Sequence, residues 1–169
     1  LTFIGRLQAQ LNAATNGAVI QLPAGTVTEN LVLDRDLTLI GTWWNQPVLS
    51  GGFVGPALQV LPGTTVTLQG VALCNGFSFA AGGGILNEGT LTLDRCLIAN
   101  NAAVSGGGIA NLGTLHVYQS VISNNAAATF GGGLYNGPTA TAFLTNSVVV
   151  ANEAETGGAL FNLGTNALV

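Results

Sequence analysis

Charge is what this sequence has least of. Only 6% of its 169 residues are charged, against roughly 25% in an ordinary soluble domain. The three basic residues are Arg6, Arg35 and Arg95, with no lysine beside them. No basic patch is therefore available to neutralise phosphates, and neither nucleic acid nor anionic lipid is an expected partner. Long apolar runs are missing as well. Gly, Asn, Thr or Gln interrupts every hydrophobic stretch before it nears the roughly 18 residues of a membrane-spanning helix, so no transmembrane segment is expected. Disorder requires low hydrophobicity with high net charge, and this chain is 48% hydrophobic with a formal charge of -4. It must fold to hide that surface, and its length suits one domain, residues 1–169. The chain begins at Leu1 rather than Met, which reads as processing of a signal peptide or trimming.

What is present in excess is glycine, 25 residues of it, and it is periodic. GGGILNEGTLTLDRCLIANN starts at Gly82, GGGIANLGTLHVYQSVISNN at Gly106, GGGLYNGPTATAFLTNSVVVAN at Gly131 and GGALFNLGT at Gly157. The spacings are 24, 25 and 26 residues, and a worn copy, PALQVLPGTTVTLQGVALCNG, begins at Pro56. A period in the twenties means a solenoid. Leucine-rich repeats need LxxLxLxxN and a helical return, whereas these units alternate with period two and are rich in Val, Ile and Thr. The expected fold is all-β: a right-handed parallel β-helix of about seven coils, each of three short strands joined by Gly and Asn turns. Residues 1–16 are expected to cap it, with Leu7, Leu11 and Ala14 at helical spacing before Asn16-Gly17. Residues 17–55 form the opening coils and 56–169 the regular repeats.

Alternation assigns faces. Inward columns are expected for Ile85, Ile109, Leu134 and Leu160; for Leu91 and Leu115; for Leu68, Leu93, Val117 and Phe143; and for Ile98, Ile122 and Val149. Two asparagine columns recur, Asn87, Asn111, Asn136 and Asn162, then Asn101, Asn125 and Asn152. Asn tolerates left-handed backbone angles, and its amide can bond to the same amide one coil away, so both are expected to be structural corner ladders. The GGG triplets lack the Lys, Ser or Thr and the following helix of a phosphate loop. Cys74 and Cys96 fall three positions out of step once coils are superposed, so two free thiols are expected, Cys96 inward beside Ser120 and Ser147.

The GGxI and GGxL motifs, with Ile98 to Asn101, Ile122 to Asn125 and Val149 to Asn152 in place of FxxN, resemble the GGAI/FxxN repeats of chlamydial polymorphic outer-membrane proteins. That resemblance covers about half the chain, from Gly82 onward. Residues 7–41 resemble the capped opening of secreted pectate-lyase-like β-helices. The resemblances imply a secreted or surface-attached bacterial β-helix, of the kind used in adhesins and envelope layers.

No catalytic, cofactor or metal site is expected. A lyase of this shape would need clustered acids for calcium, and a glycosidase two facing carboxylates about 5–9.5 Å apart. Asp94 stands between Gln69 and Gln119 by superposition, and Glu88 aligns with Leu112. The dense cluster Asp34, Arg35, Asp36 reads as a solvated corner. Glu153 and Glu155 offer too few ligands for a hard ion. His116, the lone histidine, sits in an outward column.

Function on a solenoid must lie on its outer walls. Ala72, Leu97, Val121 and Val148 make an outward aliphatic column, the candidate interface. Thr26, Thr28, Thr65, Thr67, Thr90, Thr92 and Thr114 make a threonine array that resembles those of ice-binding proteins, interrupted at His116 and Ala142. The final stretch GGALFNLGTNALV lacks a polar cap, so a continuing chain or a second subunit is expected there. The expected role is a non-catalytic, self-assembling extracellular scaffold whose partners are itself, other surface proteins and neutral glycans. A polysaccharide-binding or polysaccharide-cleaving β-helix and an ice-binding protein are the alternatives.

Overall fold

The computed structural model is a parallel β-solenoid with one short helix at its N-terminal end, and describes residues 7–42 and 46–168. The long wall holds seven strands, Ala18–Gln21, Leu37–Ile40, Thr65–Gln69, Thr90–Asp94, Thr114–Tyr118, Thr141–Thr145 and Thr165–Leu168, stacked in chain order. An aliphatic wall of six follows round the coil: Thr26–Thr28, Val48–Ser50, Ala72–Cys74, Leu97–Ala99, Val121–Ser123 and Val148–Val150. The third, asparagine wall has Leu31–Leu33, Leu58–Val60, Ile85–Asn87, Ile109–Asn111, Leu134–Asn136 and Leu160–Asn162. Every pairing is parallel. The solenoid has about five turns rather than seven. The first and last strands of the long wall are its edges, and five strands between them pair on both sides.

A fourth wall, absent from the sequence expectation, closes three of the coils: Phe77–Ala81, Ala102–Ser105 and Ala126–Phe130. In the sequence these segments look like turn material between Asn and GGG. They extend because their small residues, such as Ala103 and Ala127, fit against the interior without the bulk that marks a core strand. A bulge after Ala103 breaks the register on both sides.

The interior columns follow the repeats. Leu31, Leu58, Ile85, Ile109, Leu134 and Leu160 lie one over another. Leu73, Ile98 and Ile122 do the same, with Val149 above them. Burying each such side chain contributes about 1.5–3 kcal/mol, and like shapes pack without steps between coils. One expected member was misplaced. Leu144, not Phe143, continues the column Leu68, Leu93, Val117, while Ala142 follows Leu115 inward and is fully buried. The turn Asn136 to Thr141 is two residues longer than the turn Asn111 to Thr114, so Val117 pairs with Leu144, and the expected partner Phe143 is one residue short, which puts it on the opposite face. Phe143 therefore faces out and stacks on His116, with ring centroids 5.0 Å apart.

The Asn-Asn pairs divide the work expected of one column. Asn75, Asn100 and Asn124 take the left-handed corner at φ 52, 58 and 54°, where most residues lose about 1–2 kcal/mol and Asn much less. The residue after the corners Asn100, Asn124 and Ala151 carries the ladder. Asn101 Nδ2 donates to Asn125 Oδ1 at 3.0 Å, and Asn125 Nδ2 to Asn152 Oδ1 at 2.9 Å. Below, Gly76 N–H donates to Asn101 Oδ1 at 2.8 Å, so this ladder ends satisfied. The other ladder runs from Asn87 to Asn111, Asn136 and Asn162 through bonds of 2.7, 2.7 and 2.8 Å. It starts above Val60, which has no donor to offer, and among the described residues Asn87 Oδ1 is the buried side-chain atom without a partner. A directional ladder must begin somewhere, and that acceptor costs about 1–3 kcal/mol.

The helix Leu7–Ala13 seals the first coil by burying Leu7 and Leu11, with Ala14 packed behind; the first six residues of the expected cap lie outside the described residues. The Glu29 carboxylate accepts the N–H groups of Leu7 (3.1 Å) and Gln8 (2.9 Å) at the helix start. Arg35 donates to the carbonyls of Asn12 (2.7 Å) and Ala14 (3.1 Å) at its end. Each charge opposes the helix pole it touches. Gln8 pairs with the exposed strand edge like a strand backbone, its Oε1 accepting from Val32 N–H at 2.8 Å and its Nε2 donating to Val32 C=O at 2.9 Å.

Candidate interaction surface

Most of the scarce charges hold contacts within the chain, while Glu153 and Glu155 are exposed. Arg35, expected at a solvated corner, pairs with Asp34 at 2.8 Å and also holds the helix end. The guanidinium keeps the Asp34 carboxyl below its ordinary pKa. Asp36 ties three segments together: its N–H donates to Asn16 Oδ1 at 2.8 Å, its carbonyl accepts Gly17 N–H at 2.7 Å, and Oδ1 accepts Thr65 N–H at 2.7 Å. Glu88 accepts from Gln59 Nε2 at 2.9 Å. Asp94 pairs with Arg95 at 2.6 Å, and its strand neighbours are Gln69 and Tyr118. Tyr118 replaces the Gln119 expected there, because Arg95 and Gln119 occupy the left-handed corner. Neither neighbour is a second carboxylate. Among the described residues no three His, Cys, Asp or Glu side chains gather in one place, and no helix is long and apolar enough to cross a membrane.

Both cysteines are free thiols. Cys96 is buried, its N–H donating to Ser120 Oγ at 2.9 Å, while Ser120 N–H donates to Ser147 Oγ at 3.2 Å. Burial pushes the Cys96 thiol up to about 11, so it stays protonated and inert at neutral pH. Desolvation also raises Cys74, against a hydrogen bond with Ser50.

The aliphatic column exists and is longer than the sequence indicated. Thr26, Val48, Ala72, Leu97, Val121 and Val148 lie in one register line on the outward side. Its exposure is uneven. Ala72 is only 7% exposed, Leu97 and Val121 are half-buried, and Val148 is 52% exposed with Val150 beside it at 50%. Small side chains such as Ser50, Ala72 and Ala99 sit low between their neighbours, so the patch rises from a shallow floor toward the last strand of the wall.

Two further faces come from the tertiary structure. The fourth wall shows Phe79 at 89%, Val104 at 39% and Phe130 at 40% exposure. Phe130 stacks on Phe161 with centroids 4.5 Å apart. The long wall shows its threonines. Thr65, Thr90, Thr114, Thr141 and Thr165 form one unbroken line, and Thr38, Thr67 and Thr92 a second that continues into His116 and Phe143. Thr26 and Thr28, expected in this array, stand instead on the aliphatic wall, whereas Thr141 was not part of the expected array. The longer turn before it hid its place.

Compared with protein-family models, curated proteins and solved structures, the chain matches none. What carries over from the GGxI motif is therefore the solenoid.

Proposed function

We propose that the chain is a non-catalytic β-solenoid scaffold of the bacterial cell exterior, secreted or surface-displayed, that self-assembles laterally with adhesive or structural purpose. The observation that carries this reading is the outward line Val48, Ala72, Leu97, Val121, Val148, kept in register over five strands. Aliphatic residues repeated on an outer wall present the same strip to every neighbour, so a second copy is its natural occupant. The GGxI and xxxN motifs that resemble polymorphic outer-membrane protein repeats, and the pectate-lyase-like cap, support an exterior location.

Magnitudes limit the form of assembly. A specific pair usually buries about 1,200–2,000 Å², more than one line of half-buried side chains supplies. Pairwise contact is weak, and repetition along an array provides the strength. Light scattering and electron microscopy at rising protein concentration test this. The expected result is concentration-dependent growth into laterally packed particles, abolished by Val121→Glu with the circular dichroism spectrum unchanged. Discrete monomers at the highest concentration reached would overturn it.

A further inference from the structure

The scaffold reading leaves the long wall unexplained. Part of its outward face is a lattice of identical groups: five threonines in one line and three in the line beside it, before that second line passes into His116 and Phe143, with no register shift along the wall. Parallel pairing spaces neighbouring lines' members about 4.8 Å apart across strands and about 6.6 Å along them. Thr is stiff at χ1, so methyl and hydroxyl repeat with the backbone instead of wandering.

The hydroxyls are also unspent. Thr64 Oγ1 donates to Leu61 C=O at 2.6 Å and Thr129 Oγ1 to Val104 C=O at 2.8 Å, as threonines at turns and wall ends do. Thr38, Thr65, Thr67, Thr90, Thr92 and Thr114 make no such side-chain bond; Thr65 is exposed and the other five are half-buried, which leaves their hydroxyls available to solvent. Only one charge, Asp94, stands on the outward side of these strands, and Arg95 pairs it.

A lattice of one repeated group recognises a lattice. A soluble glycan would need varied polar groups and open aromatic faces, yet His116 stacks against Phe143 at 10° between ring planes, turning ring faces toward each other. A periodic ligand made of hydrogen-bonding units at comparable spacing is crystalline water. We propose that the threonine face of the long wall, centred on Thr65, Thr67, Thr90 and Thr92, binds the surface of ice, with water molecules held between the methyls and anchored by the hydroxyls.

Freezing hysteresis and crystal shape, measured with the purified full chain in a nanolitre osmometer, test this directly. The expected result is faceted ice growth with measurable hysteresis, lost in Thr67→Tyr/Thr92→Tyr, whose bulk lifts the face off the ice. Thr92→Ser, which keeps the fold and deletes one methyl, should reduce the effect. Val121→Glu on the aliphatic wall should leave it intact, so failure here is distinguishable from failure of lateral assembly. Unfaceted, hysteresis-free freezing of the folded chain overturns the proposal, as does hysteresis that survives the double tyrosine variant.

Discussion

The opening turns and the repeats hold together by different means. Between residues 7 and 40 the coils are joined by contacts that occur once: Glu29 and Arg35 on the helix ends, Gln8 on the strand edge, Asp36 across three segments. From Gly82 onward the same residue meets its own copy, Asn on Asn, Ile on Ile, glycine backbone on glycine backbone. A one-off contact fails locally, whereas a stacked residue is a neighbour to two coils at once, so its loss is felt above and below.

The sharpest break of that contrast is Gly107→Ala. A methyl there would overlap the carbonyls of Ala126 and Gly132 in the next coil, and both belong to backbone that the ladder holds in place. Forcing the coils apart should remove about 3 kcal/mol or more of stability, read as a large fall in the thermal unfolding midpoint by circular dichroism. Next comes Asn111→Ala. Asn87 Nδ2 then loses one acceptor and Asn136 loses the donor to its Oδ1, a loss of about 2 kcal/mol measured by denaturant unfolding. The smallest effect belongs to the opening turns. Glu29→Ala removes the acceptor for two helix N–H groups and should cost about 1 kcal/mol. Hydrogen exchange should rise in residues 7–13 and stay unchanged beyond Gly82. An exchange increase spreading into the repeats would show that the cap and the ladders form one cooperative unit.

The columns were legible because each repeat states the same inward residues in the same order, and in-register stacking is the one arrangement that superposes them. Phe143 was misread for a local reason: the longer turn before Thr141 hides how far the strand has moved on, and pairing Val117 with Phe143 instead of Leu144 is one residue short, which exchanges inward for outward. The fourth wall was missed because its segments FSFAA, AAVS and AAATF differ from coil to coil and their buried members are small, such as Ala103 and Ala127, so no repeated apolar column marks it. The two roles inside each Asn-Asn pair were invisible, since the residues are identical and only the backbone angle of the first separates them. Thr141 joined the threonine line only once the longer turn was placed.

From its sequence alone, the chain's repeat length, its parallel stacking, its capped first coil and the identity of most core columns were determined, since these depend on periodicity and side-chain size. Only the tertiary structure decided which asparagine turns inward, that Arg35 grips the helix, how far the aliphatic line emerges from the wall, and that the threonines form a continuous face. Those features arise between segments about 25 residues apart or at corners whose geometry is fixed by closing the coil, and no local pattern encodes them.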